Sequence, residues 1–357
     1  MVTILTGDCR EVLKTLPDAS VHCCVTSPPY WGLRDYGCDG QLGLEKTPEE
    51  YVAKMMEVFR EVRRVLRSDA TLWINLGDSY SAQAGQRKST DARGPKQCTN
   101  RGSSDLGSRD VLGLKPKDLV GIPWRVAFAL QADGWYLRQD IIWSKPNPMP
   151  ESVTDRCTKA HEYIFLLSKN AKYYYDAQAI AEPVAESSIE RLNQDVENQQ
   201  RSLRLPWKTN GAMKAVANAS WNGSKFDDGK NAVNHPNVGK KRDANGVRIH
   251  GNLPCRDDGG AACNMSGQEM RNKRDVWFIG SQPYSDAHFA TFPPKLITPC
   301  ILAGCPENET VLDPFGGSGT VGEVAELHGR NSILIELNAK YVEMAKRRTA
   351  QQGLFCN

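Results

Sequence analysis

The chain has 357 residues, with 45 Lys+Arg against 42 Asp+Glu and a formal net charge of +3. At about 150 residues per domain, this length predicts two domains or one large domain with insertions. Apolar runs such as Tyr163–Leu167 fall far short of the ~20 residues of a membrane span, and the N-terminal MVTILTGDCRE lacks the basic start of a secretory signal. Eleven cysteines are scattered without a C-x-x-C pair, which disfavours a metal site and predicts reduced thiols in the cytoplasm.

In chain order, Val2–Thr6 reads as a strand, 9–16 as a short helix and Val21–Val25 as a buried strand. Residues 48–66 place Tyr51, Met55, Val58, Val62 and Val65 or Leu66 on one helical face. A strand at 71–75, a helix at 119–130 and strands at 136–143 and 163–167 follow. The C-terminal part predicts a strand at 311–312, a helix at 320–327, a strand at 332–335 and a closing helix at 339–348. Seven strands with interleaved helices predict an α/β fold, a mostly parallel, doubly wound sheet covered on both faces. Residues 81–117 are rich in Gly, Ser, Lys and Arg, and 176 to about 275 open with a polar, helix-like 182–200 before an Asn/Gly/Lys-rich run; both read as insertions.

Two motifs carry chemistry. Asp313-Pro-Phe315-Gly316-Gly317-Ser318-Gly319-Thr320 joins a predicted strand to a predicted helix. Its glycines allow close backbone approach, and the helix start offers free N–H groups. It lacks the lysine of a P-loop and the G-x-G-x-x-G spacing of a dinucleotide site. Glu336, ending the next strand, is placed to bind ribose hydroxyls. The second motif, Ser27-Pro28-Pro29-Tyr30 followed by Trp31, comes directly after the strand ending at Val25. Rigid prolines, a hydroxyl and an aromatic face suit a planar base bearing an exocyclic amine.

In this order the two motifs resemble those of S-adenosylmethionine-dependent DNA amino-methyltransferases, whose catalytic motif is S/D/N-P-P-Y/F and whose cofactor motif is D-P-F-x-G-x-G-T. Catalytic motif first and cofactor motif last resembles the family's circularly permuted β group. The resemblance covers roughly 1–80, 117–175 and 276–350, including Leu72–Asn75, the segment 142–148 and Ala160-His161-Glu162. It implies a seven-stranded Rossmann-like sheet. Residues 1–80 and 117–175 then form the catalytic half, 81–116 a basic Gly/Ser-rich insertion, 176–275 a target-recognition region and 276–357 the cofactor half.

The resemblance further implies methyl transfer to the exocyclic nitrogen of a flipped base in double-stranded DNA. Ser27, the Pro28 carbonyl, Pro29 and Tyr30 would hold that base. Asp8, Cys9, Thr291, Phe292 and Pro293 join the glycine motif and Glu336 around the cofactor; Asp8 reads equally well as a helix N-cap. Trp31, Arg34, Lys145, Asn147 and Pro148 are candidate DNA or target-base contacts, with a plain surface turn as the alternative for the last three. Ser at the first motif position favours cytosine-N4, with adenine-N6 as the alternative and a non-catalytic DNA-binding module as a remote one. Pro299-Cys300, in a predicted helix, is not expected to be the nucleophile of a C5 enzyme. Oligomeric state and a cognate restriction endonuclease remain open.

Charge is unevenly placed. Residues 81–117 hold eight Lys/Arg and three Asp/Glu, and 201–248 hold ten and three. The two insertions are therefore the segments expected to meet phosphates, with Trp207 and Trp221 either reading a groove or packing a small subdomain.

Overall fold

The computed structural model describes residues 1–33, 36–81, 114–185, 270–282 and 292–350. Strands β1 (Val2–Thr6), β2 (Val21–Thr26), β3 (Leu66–Leu76), β4 (Tyr136–Ser144), β5 (His161–Ser168), β6 (Val276–Phe278), β7 (Thr310–Asp313) and β8 (Asn331–Glu336) form one sheet in the order β1-β8-β7-β2-β3-β5-β4-β6. All neighbours pair in parallel except β5, which runs against both β3 and β4. The C-terminal strands β7 and β8 thus sit between β1 and β2, as the permuted order requires. The expected seven strands are all present, and β6 is an eighth. Its three residues carry no strand signal in the sequence because only Trp277 is buried, with Val276 and Phe278 exposed.

Helices α1 (Cys9–Val12), α2 (Pro48–Val65), α3 (Ile122–Ala132), α4 (Pro294–Gly304), α5 (Thr320–Leu327) and α6 (Ala339–Ala350) cover the two faces. The start of α2 is set locally. Thr47 accepts the Glu50 N–H at 3.1 Å, Glu50 reaches back to the Lys46 N–H at 3.0 Å, and Pro48 supplies a helical φ at the first position. Its buried stripe includes Tyr51, Met55, Val58, Val62 and Val65 as expected, with Phe59 added; each such side chain contributes about 1.5–3 kcal/mol. One core cluster lies beneath α2 and α3. The other packs around Cys23, Trp73, Leu296, Cys300 and Val321.

Contacts divide the described chain into one unit of Met1–Ile180 with Asn272–Asn357, and a second of Ala181–Arg271. Residues 176–180 and 272–275, read as recognition region, therefore belong to the sheet unit. Ile180 is buried in the second cluster, and the Asp176 N–H bonds to the Ala303 carbonyl at 2.9 Å. Glu182–Pro183 is not the start of a helix: it pairs antiparallel with Met270–Arg271, and Arg271 bonds Glu182 at 3.1 Å. Residues 186–200, like Trp207 and Trp221, lie outside the described residues.

The basic insertion 81–116 leaves the sheet unit through a closed neck. Ser81 N–H donates to the Asp118 carbonyl at 2.8 Å, and Lys117 N–H to the Ser81 carbonyl at 3.0 Å. A neck held by its own backbone bonds does not need the segment beyond it. Replacing residues 84–113 by a short Gly/Ser linker should leave the circular-dichroism spectrum unchanged and the melting temperature within a few degrees of wild type. A collapse of the thermal transition would place part of the core in that segment.

Candidate active site

The site lies at the carboxyl end of the sheet, where β7 and β2 are neighbours and the strand order reverses. Such a switch point is where open α/β sheets bind ligands. Asp313 ends β7, and Thr26 ends β2. The Thr26 hydroxyl donates to Asp313 Oδ1 at 2.6 Å, and the Phe315 N–H donates to the same oxygen at 3.0 Å. Asp313 is 1% exposed. Burial pushes its carboxyl up to about 7 against the two hydrogen bonds, and neighbouring Glu336 pushes the same way. Asp313 thus ties the glycine loop to the strand end that carries Ser27-Pro28-Pro29-Tyr30.

The glycine loop turns through Gly317 and Gly319, both with positive φ. At Gly319, φ is +85° and a Cβ would stand 2.9 Å from Ala345 on α6, so only glycine fits. The Gly317 N–H donates to Glu336 at 2.8 Å and the Asn338 N–H to the other oxygen at 2.7 Å. Burial nonetheless raises the Glu336 pKa. Ser318 and Thr320 are both buried. Both hydroxyls are buried against the Arg348 guanidinium, at 3.0 and 2.8 Å, and Arg348 also bonds Glu323 at 2.6 Å.

Beside the loop is an open cleft lined by Asp8, Cys9, Leu42, Phe315, Ile335 and Glu336 among others. Two carboxylates, Asp8 and Glu336, among apolar and aromatic surfaces fit a nucleoside. Asp8 caps α1 by accepting the Arg10 N–H at 2.9 Å, and its carboxylate is held low by the Arg10 guanidinium. Cys9 is buried and pushed up to about 12, so it is an inert wall and not a thiolate. Phe292 is partly buried against the second core cluster, and Pro293 is buried at the start of α4. Thr291 lies outside the described residues.

The catalytic tetrapeptide is held from several sides. Tyr51 donates to the Pro29 carbonyl at 2.9 Å. Among the described residues, nothing donates to the Pro28 carbonyl. The Tyr30 ring rests on Gly77, where a Cβ would approach Cε2 to 2.5 Å. The Tyr30 hydroxyl lies 2.8 Å from Glu162 and 2.9 Å from Asn75, while Ser27 Oγ is 3.4 Å from Asn75 Oδ1. Glu162 and Asn75 stand in the sequence only as parts of matching segments; a polar residue near the end of an apolar strand was the available signal for Asn75, and Glu162 had none.

Trp31 is corrected. It is 5% exposed in the core, with its indole N–H on the Glu45 carbonyl at 3.0 Å, so it cannot contact DNA. Lys145 pairs with Glu162 and lies 4.3 Å from the Trp143 ring centroid. Asn147 is exposed and Pro148 half-buried on the following loop, and Arg34 lies outside the described residues. Cys300 is buried in α4 with its thiol pushed up, not placed as a nucleophile. His161 packs edge-on against Tyr163, with ring centroids 5.3 Å apart. Among the described residues, no group of three or more His, Cys, Asp or Glu is placed to hold a metal ion. No helix among them is long and apolar enough to cross a membrane.

A permuted α/β sheet with these two loops at its switch point defines a methyltransferase of the Rossmann-like class. The DNA methylase family (N6/N4 class) matches residues 21–347, and the chain belongs to it. Its methyl donor is S-adenosylmethionine. The type II methyltransferase M.Cfr9I of Citrobacter freundii is 39% identical over 346 residues, 97% of this chain and 87% of that protein. M.SmaI of Serratia marcescens is 40% identical over 347 residues, 97% and 89% of the two chains. Among solved structures, the cytosine-N4-specific PvuII DNA methyltransferase shares the fold at a TM-score of 0.55 and 17% identity, over 97% of this chain and 86% of that one. TTHA0409 of Thermus thermophilus, solved with S-adenosyl-L-methionine, matches at 0.50 and 21%, over 99% and 96%.

Asp313 yields a pH test. Its folded-state pKa lies above the unfolded value of 3.8, so the folded state holds the extra proton between that value and about 7. Stability from this group therefore falls as pH rises through that window. Asp313→Asn keeps an acceptor for Thr26 and Phe315 but cannot ionise. Its melting temperature should gain on wild type as pH rises from about 5.5 to 8; a difference independent of pH would contradict the assignment.

Proposed function

We propose that this DNA methyltransferase moves the methyl group of S-adenosylmethionine to the exocyclic N4 of a cytosine flipped out of double-stranded DNA at a specific site. The observation that carries the reading is the Asp313–Thr26 bond, which sets the glycine loop and its cleft beside Ser27-Pro28-Pro29-Tyr30. Glu336 would hold the ribose hydroxyls, with Phe315, Ile335 and Leu337 enclosing the rest of the nucleoside and Asp8 and Cys9 at the far wall. When bound, S-adenosylmethionine would supply an electrophilic methyl group on a sulfonium; transfer would release S-adenosylhomocysteine, and the methylated amine would then lose one proton to solvent.

The chain's own residues then have to orient an amine whose lone pair is delocalised into its ring. Ser27 Oγ and the Pro28 carbonyl would each accept one amine hydrogen, directing the lone pair out of the ring plane. Tyr51 occupies the Pro29 carbonyl, which leaves the Pro28 carbonyl as the acceptor. Tyr30, fixed from below by Gly77, would offer its other face to the base. Neutral Ser27 is no strong base at pH 7, so its work is positioning, and alignment of reactants supplies several kcal/mol of barrier reduction. Flipping costs roughly a few kcal/mol, partly recovered by stacking.

Ser at the first motif position supports cytosine-N4 over adenine-N6, in keeping with the specificity of the PvuII enzyme. The basic insertions are read as phosphate contacts, so binding should weaken with salt. Seven free cysteines among the described residues, five of them buried, support action in a reducing cytoplasm. The strong likeness to type II methyltransferases makes a cognate restriction endonuclease the natural companion.

Nucleoside analysis of DNA from cells expressing the protein should show N4-methylcytosine in one sequence context. N6-methyladenine instead would overturn the choice of base and keep the enzyme class. Ser27→Ala should lower methyl transfer by at least ~100-fold, with S-adenosylmethionine affinity by calorimetry within about twofold of wild type. An active variant would remove Ser27 from the mechanism.

A further inference from the structure

Glu162 reaches the active site because β5 is antiparallel. In a parallel strand the carboxyl end of the sheet would receive the last residues, near Ser168; here it receives the first. Glu162 stands opposite Trp143 near the end of β4, and Asn75 opposite Ile164 near the end of β3. The Glu162 side chain is 15% exposed. One carboxylate oxygen pairs with Lys145. The other lies 2.8 Å from the Tyr30 hydroxyl and 3.3 Å from Asn75 Nδ2.

The protons in this cluster can be counted. Asn75 Nδ2 also donates to the Tyr163 carbonyl at 3.1 Å, which turns Asn75 Oδ1 toward Tyr30 and Ser27. Oδ1 is an acceptor with two hydroxyls in reach. The Tyr30 hydroxyl has one proton and two acceptors, Glu162 and Asn75. A carboxylate takes it in preference to an amide oxygen, because a charge-assisted bond is roughly twice as strong. Asn75 Oδ1 is then left for the Ser27 proton. With that proton turned to Asn75, the Ser27 lone pairs face the cleft, ready to accept from an amine.

We propose that Glu162 is a positioning residue that sets the hydrogen-bond polarity of Ser27 through Tyr30 and Asn75, with Lys145 holding its other carboxylate oxygen. The inference rests on the methyl-transfer reading above and assigns Lys145 to this cluster, where a direct base contact had been expected. If Glu162 cannot capture the tyrosine proton, Tyr30 turns to Asn75 and competes with Ser27 for its Oδ1, weakening the bond that points the Ser27 proton away from the amine.

The test is a double-mutant cycle in single-turnover methyl transfer on duplex DNA, with thermal melts to confirm folding. Glu162→Gln should slow the methyl-transfer step at least ~10-fold, with S-adenosylmethionine and DNA affinities unchanged. Tyr30→Phe keeps the ring and removes the competing proton. In that background Glu162→Gln should cost less than about twofold. Lys145→Met should slow the step in wild type and add little to Glu162→Gln. Equal losses from Glu162→Gln in both backgrounds would overturn the inference, as would a loss accounted for by weaker binding. An active wild type with additive losses sinks this inference alone, whereas a folded wild type that methylates no duplex sinks the methyl-transfer reading with it.

Discussion

The interaction on which the site depends is the 2.6 Å bond between Thr26 and Asp313. Permutation brings together two chain segments nearly three hundred residues apart, and the backbone joins them over a short seam, with Cys23 opposite Val311 and Cys24 opposite Leu312. Beyond the strand ends, the two loops need a side-chain tie. A carboxyl buried at 1% exposure is costly in the charged form, and the raised pKa records that cost. Two donors on Oδ1 offset part of it and fix the loop leaving β7 against the loop leaving β2.

Each loop is further braced away from the cleft. On the cofactor side Arg348 gathers Ser318, Thr320 and Glu323, so α6 holds the start of α5, and Gly319 lets the two helices touch. Glu336 takes the Gly317 N–H and closes the turn from the other side. On the catalytic side Tyr51 holds Pro29, Gly77 seats Tyr30, and Asn75 and Glu162 fix its hydroxyl. Preorganisation of this kind places polar groups before a substrate arrives, so little reorganisation is left for the reaction itself.

The residues that act locally were legible in the sequence. Prolines and glycines impose their geometry on their neighbours, so both loops and their order could be read directly, as could strands written in apolar runs and the α2 stripe. Roles assigned by distant partners could not. Arg348, the side-chain partner of Ser318 and Thr320, lies about 30 residues further on. Trp31 looked like a DNA contact, yet its N–H is satisfied by Glu45 in the core. Glu162 joins the site through an antiparallel pairing that leaves no mark in its local sequence, and β6 is too short to carry a period.

The central claim is that the Thr26–Asp313 tie sets one motif in register with the other, and the direct measurement is single-turnover methyl transfer by Thr26→Val alongside its affinity for S-adenosylmethionine. Valine fills the same space without the hydroxyl. A misalignment of about 1 Å between reactants can cost ~100-fold. The account predicts a transfer step slowed at least ~10-fold, an affinity within about threefold of wild type, and recovery of the rate in Thr26→Ser. An unchanged rate, or a loss explained wholly by weaker cofactor binding, would contradict it.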